Sequence, residues 1–180
     1  MDTCLAVRSN SDWMGEQSCD SLVSANDQLS SDHGSDEAAI NLATIIFQTF
    51  TSVKNLKSYL SVPPQQISSS ALAYLGDAIY ELYIRTYFLL PLKRTQQYHQ
   101  QVVTQVCAES QAKQLKLLEP LLTLDELGIA KRGRNAAFVK SRRVDPETYQ
   151  QASSLETLIG YLYLTDPQRL VELLACLELD

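Results

Sequence analysis

Asp77 and Glu81 stand four residues apart inside an otherwise apolar run, ALAYLGDAIYELYIRTYFLL at 71–90, and Glu156 interrupts a stripe made by Tyr149, Ala152, Ile159 and Tyr163. Acids at helical core spacing need a reason, because a lone carboxylate is costly to bury unless it is protonated, paired or bound to a cation. Residues 77 and 81 fall one turn apart on one face of a helix. If the two helices pack face to face, Asp77 and Glu156 converge, and Gly160, one turn beyond Glu156, leaves room for a close neighbour. Hard oxygen donors with no histidine or thiolate nearby suit Mg²⁺ or Mn²⁺, ions that complete their shell with water and phosphate oxygens. Simpler readings stay open. Glu81 can pair with Arg85 at the favourable i, i+4 spacing, Asp77 can be capped or solvated, and Glu156 can bridge to an arginine elsewhere in the chain.

The rest of the inventory narrows the chemistry. The histidines are His33 and His99, and the cysteines at 4, 19, 107 and 176 form no C-x-x-C pair, so a zinc or redox site and a Cys/His or Ser/His nucleophile are hard to assemble. The formal charge of −6 is unevenly spread. Residues 1–39 carry eight acids against Arg8, a net of −7, which leaves +1 for the remainder. Residues 131–143, KRGRNAAFVKSRR, hold six Lys or Arg and no acid. Lys131 and Arg132 could complement a helix C-terminus capped at Gly133, but Arg134, Lys140, Arg142 and Arg143 need another explanation. Basic loops with Arg forks neutralise phosphates and position a polyanion without reading bases. A carboxylate-held hard cation beside such a loop points to phosphodiester hydrolysis.

These residues need helices to position them. The chain of 180 residues, 45% hydrophobic and 20% charged, has the composition of one globular domain with a remainder. The Ser-rich acidic segment 1–36 is too poor in apolar groups to offset its ordering entropy and is expected to be a disordered tail. Ile40, Ala43, Phe47 and Phe50 suggest an additional helix within 37–60, before the break at Ser61-Val62-Pro63-Pro64. From 61 to 180 every strong signal is helical. Serines 68–70 cap a helix over 71–90 that Pro91 ends, and this helix is apolar on both faces: Leu72, Leu75, Ile79, Leu82 and Tyr83 on one, Tyr74, Ile84 and Phe88 on the other. A second helix runs from Thr95 to Pro120. Thr123 with Glu126 is a capping box for a third that closes near Gly133. Asp145-Pro146 and Asp166-Pro167 start helices over 146–164 and 167–178. No alternating strand or Asn-Gly turn appears, so the fold class is all-α. No run approaches the roughly 18 apolar residues of a membrane span, and the first residues lack a secretory signal, so a reduced, cytoplasmic chain is expected.

Three segments, LAYLGDAIYELYIR at 72–85, KRGRNA at 131–136 and ETYQQASSLETLIGYLYL at 147–164, together resemble the ribonuclease III catalytic domain, most closely its small branch, Mini-ribonuclease III. The resemblance covers about residues 56–178. It implies an α-helical homodimeric endoribonuclease that cleaves double-stranded RNA with Mg²⁺, with Mn²⁺ as a possible substitute, and leaves 5′-phosphate and 3′-hydroxyl ends. Asp77 matches the aspartate of the family's LGD motif and Glu156 the glutamate of its E-x-L-I-G motif, the pair implied to hold the cation. Glu81 is placed to orient a water of that cation. Lys131, Arg132, Arg134, Asn135, Lys140, Arg142 and Arg143 are the residues expected to hold RNA. Larger family members carry acids where this chain has Ser70, Ala73 and Ser153, which leaves the number of cations open. The usual double-stranded RNA-binding domain is not expected after residue 180. RNA capture then falls to the catalytic dimer and its basic loop. The implied substrate is the end of precursor 23S ribosomal RNA. The rival reading is a non-catalytic double-stranded RNA-binding or ribosome-assembly protein on the same fold.

Overall fold

The computed structural model describes residues 60–137 and 145–179. Among them the order is a 3-10 turn at Pro64–Gln66, α1 Ser69–Tyr87, α2 Thr95–Val106, α3 Ala108–Leu118, a 3-10 turn at Glu119–Leu121, α4 Leu124–Ala136, α5 Pro146–Thr165 and α6 Pro167–Ala175. No strand occurs among the described residues, in keeping with the all-α expectation. No described helix is long and apolar enough to cross a membrane. The expected acidic tail and the helix within 37–60 lie outside the described residues, Leu60 excepted.

The helix starts follow the sequence signals. Ser68 Oγ accepts from the Ala71 N–H at 3.2 Å. In the capping box, Thr123 Oγ1 accepts from the Glu126 N–H at 3.2 Å while Glu126 Oε2 accepts from the Thr123 N–H at 2.7 Å. Asp145 and Asp166 accept from Thr148 and Arg169 N–H groups, each at 3.0 Å, with proline at the first helical position. Each cap satisfies a donor that the first turn would otherwise leave unpaired.

The helix ends differ from expectation in four places. Helix α1 stops at Tyr87 rather than 90, as the residue before Pro91 is steered out of the helical region. The expected helix from Thr95 to Pro120 is two helices. Cys107, at φ −71° and ψ 156°, is extended and breaks the ladder, and Ser110 Oγ donates to the freed Thr104 carbonyl at 2.6 Å. Helix α4 runs through Gly133 to Ala136, so Gly133 is not its cap. Helix α6 ends at Ala175, three residues short of 178.

Helices α1 and α5 form the central pair, with α3 and α4 packed on α5 and α2 on α1. Their shared core holds Ile79, Tyr80, Tyr83 and Ile84 from α1 and Leu155, Leu158, Ile159 and Leu162 from α5. Leu170, Val171, Leu173 and Leu174 of α6 close the same cluster. Each fully buried aliphatic side chain contributes roughly 1.5–3 kcal/mol. Although its sequence is apolar on both faces, α1 keeps an open side, with Tyr74 67% and Leu82 44% exposed. Arg169 pins α6 to α4, its Nε 2.9 Å from Glu126 Oε1, and holds that carboxyl below its ordinary value.

Candidate active site

The crossing of α1 and α5 is closer than side chains would allow. A Cβ on Gly76 would collide with the Glu156 carbonyl, and one on Gly160 with the Leu72 carbonyl. Only glycine lets two helix backbones touch in this way. Asp77 follows Gly76 and Glu156 precedes Gly160 by one turn, so backbone contact brings the two acids together across the helix pair. Gly133 of α4 does the same against Thr157 and the Ser153 carbonyl. The Thr157 hydroxyl, fully buried, donates to that carbonyl at 2.7 Å.

Electrostatics reports the convergence. Burial raises the Asp77 carboxyl to about 6, with the Glu81 charge adding to the rise. Burial raises Glu156 to about 8, and the Asp77 charge pushes it further. Hydrogen bonding from Gln111 of α3 opposes the rise at both. Among the described residues no lysine or arginine forms an ion pair with Asp77 or Glu156. Two buried acids, with the charge of Asp77 felt at Glu156 and no basic ion-pair partner for either among the described residues, are what a cation would relieve.

Glu81 is different. Its carboxylate accepts from Arg85 Nε at 3.1 Å and Nη2 at 2.5 Å, so the i, i+4 pairing holds it, although its charge still reaches Asp77. No group of three or more His, Cys, Asp or Glu side chains suited to a metal is present among the described residues. The donor set of Asp77 and Glu156 is nonetheless the kind Mg²⁺ takes, since that ion keeps several waters and binds proteins through one or two carboxylates.

Asp77 and Glu156 open onto a cleft of about 830 Å³. Ser70, Ala73 and Ser153, the positions where larger relatives of the resembled family carry acids, all line it. The basic segment begins at its rim. Gly133, Ala136 and Ala137 line the cleft on one side of residues 138–144, and Tyr149 lines it on the other. Lys131 and Asn135 are exposed. Arg134 is exposed as well, with a long 3.7 Å contact to Glu147. Arg132 instead donates to the Ile67 carbonyl at 3.2 Å, a structural tie. Lys140, Arg142 and Arg143 lie outside the described residues. The residue the sequence reading passed over is Gln111. Its signal was there: a glutamine at core spacing among Ala108, Ala112 and Leu115, all of them buried.

The family model described as the ribonuclease III domain matches residues 70–167. A Mini-ribonuclease 3 of Synechocystis is 56% identical over 115 residues, which span 64% of this chain and 80% of that protein. One from Synechococcus is 58% identical over 61% of this chain and 80% of its own length, and one from Staphylococcus aureus 41% identical over 57% and 80%. The crystal structure of a Fusobacterium nucleatum protein superposes with a TM-score of 0.57 at 30% identity, covering 61% of this chain and 89% of that one. With the matched region spanning both acids, the glycine crossing and the start of the basic segment, the chain belongs to the ribonuclease III family, in its Mini-ribonuclease 3 branch.

Proposed function

We propose that this ribonuclease III-family endoribonuclease hydrolyses double-stranded RNA with a divalent cation, Mg²⁺ or Mn²⁺, held by Asp77 and Glu156. The observation that carries the reading is the juxtaposition of those two acids, unpaired by any described basic residue, in a cleft with basic residues at its rim. The cation supplies, when bound, positive charge against the charge that develops on the phosphoryl group. The chain supplies the rest. Asp77 and Glu156 fix the reacting phosphate's place at the α1–α5 crossing, Glu81 adds negative charge one turn on, and the hydroxyls of Ser70 and Ser153 give the cleft polar groups able to hold ordered water. Lys131, Arg134 and Asn135, with Lys140, Arg142 and Arg143, hold the RNA backbone through phosphate contacts, which position without reading sequence.

The molecule works as a homodimer in which each subunit cuts one strand. The open side of α1, where Tyr74, Ala78 and Leu82 form an exposed stripe beside the cleft, supports this, as exposed apolar stripes mark interaction faces. The substrate is the end of precursor 23S ribosomal RNA, matured in the cytoplasm, a compartment in keeping with the free thiols of Cys107 and Cys176.

One observation favours the second reading, a non-catalytic RNA-binding or assembly protein. Ser70, Ala73 and Ser153 stand in the cleft at the positions where larger members of the family carry acids. Incubating the purified chain with a perfect RNA duplex, with and without Mg²⁺, separates the two. Mg²⁺-dependent double-strand cuts that vanish in Asp77→Asn support the nuclease. Binding of the duplex with no cleavage supports the alternative.

A further inference from the structure

Four glycines lie within the described helices, and three of them mark contacts. Gly76, Gly133 and Gly160 each have another helix so close that a Cβ would collide with it. Gly128, in the middle of α4, is the exception, because a Cβ there would meet nothing within 4 Å among the described residues. Glycine weakens an exposed helix relative to alanine, and no described residue gains from the space it leaves. Leu124, one turn earlier on the same face, is 86% exposed. Leu127 beside it and Leu121 just before the helix are exposed as well. The outer side of α4 is thus an apolar helix face with room for a close neighbour.

The chain itself carries a segment of matching form. Ile40, Ala43, Phe47 and Phe50 fall on one side of a helix, and a helix from Ile40 to Phe50 would span about 16 Å, against about 20 Å for α4. The charges match too. Asp36 and Glu37 precede the segment's apolar stripe and Lys54 and Lys57 follow it, while Glu119 and Asp125 lie at the start of α4 and Lys131 and Arg134 near its end. Antiparallel packing sets opposite charges together at both ends. The connection also fits. An antiparallel segment ends beside the start of α4, and the chain must then return to Arg132, which donates to the Ile67 carbonyl at 3.2 Å. Leu124 and Arg132 are about 12 Å apart along the helix, and residues 58–66 can span about 30 Å when extended. Gln65 already lies against the bundle, its Nε2 donating to the Tyr161 hydroxyl at 3.4 Å.

We propose that residues 40–57 form an amphipathic helix that packs antiparallel on the face of α4 made by Leu124, Leu127 and Gly128, with Gly128 at the closest approach. Helix α4 also presents Lys131 and Arg134 at the rim of the cleft, so the added helix braces the element that carries the basic rim.

The test places a photo-crosslinking benzoylphenylalanine at Leu124 in the full chain. Unlabelled and isotope-labelled chains are refolded together, irradiated and read by mass spectrometry. Cross-links from position 124 to residues 40–57 within one chain are the expected result. Cross-links between a labelled and an unlabelled chain would put a second copy on this face and overturn the proposal, as would cross-links that include no peptide from 40–57. Urea melts give an independent readout. Phe47→Ser and Leu124→Ser should each lower the midpoint, and the double variant should lose clearly less than the sum, since the two side chains share one contact. Additive losses overturn the proposal. Gly128→Ala should lower the midpoint, because the added Cβ meets the packed segment. A raised midpoint, the result for a bare helix face, overturns it.

Discussion

The backbone of Gly76 lies directly against the carbonyl of Glu156, so the residue before one acid is in contact with the other acid's own peptide group. Packing and chemistry therefore depend on the same few atoms. Alanine is the better helix former by about 1 kcal/mol, so at a loose crossing Gly76→Ala would stabilise. Here the added Cβ meets backbone, which cannot rotate away, and overpacking of this kind costs typically about 1–3 kcal/mol or more. Gly76→Ala should lose net stability in urea melts and lose cleavage with it. A stabilised, active Gly76→Ala protein would show that the helices cross further apart.

Asp77→Asn and Glu156→Gln are nearly isosteric and should each abolish cleavage while RNA binding survives. Several kcal/mol of lost charge stabilisation correspond to about a thousandfold or more in rate, since ~1.4 kcal/mol is tenfold. Single-turnover cleavage beside a filter-binding or gel-shift measurement checks both halves. Near-parental cleavage by either variant would refute the assignment of the pair.

The raised carboxyls give the cation-free protein an unusual pH response. Asp77 and Glu156 lie above their ordinary values, at about 6 and about 8, so between the unfolded and folded values the native state binds more protons than the unfolded one. Stability must then fall as pH rises from about 4 toward 8, and level off above. In chelator, urea midpoints should be higher at pH 5 than at pH 8. Glu156→Gln should flatten the curve and be at least as stable as the parent at pH 8, because it removes one of two like charges. Mg²⁺ should reverse the trend, since it binds the deprotonated pair and stabilises more at higher pH. Were Glu156 half of a structural ion pair, Glu156→Gln would instead be destabilising at pH 8.

Much of this was legible in local sequence. Helix starts at Ser68, Thr123, Asp145 and Asp166 are set by a cap and the three residues after it, so reading them needs no tertiary information. The meeting of Asp77 and Glu156 could be anticipated from acids at core spacing together with Gly160. Where the reading failed, the deciding partner lay elsewhere in the chain. Gly133 looked like a helix end and is a contact with Thr157, 24 residues away in sequence. Tyr74 and Leu82 looked like core, yet the described chain brings nothing to cover them. The break at Cys107 leaves the apolar period intact on both sides, so no periodicity could show it.

The last prediction concerns the rim of the cleft. Arg132 is occupied by the Ile67 carbonyl and belongs to the fold, whereas the long contact of exposed Arg134 with Glu147 is worth little. Replacing Arg134, Lys140, Arg142 and Arg143 by Ala should leave the Tm nearly unchanged. RNA affinity should fall to a similar degree across duplex sequences, because phosphate contacts carry little base information. Each lost contact should also flatten the dependence of log affinity on log salt by something under about one unit, by analogy with counterion release on DNA. Arg132→Ala, by contrast, should lower the Tm, since it frees a carbonyl that the fold has paired. Titrations of several duplexes at three or more salt concentrations measure both effects. If the fourfold variant binds with the parent's affinity and slope, the segment is a solvated surface and the RNA must rest on another face of the molecule.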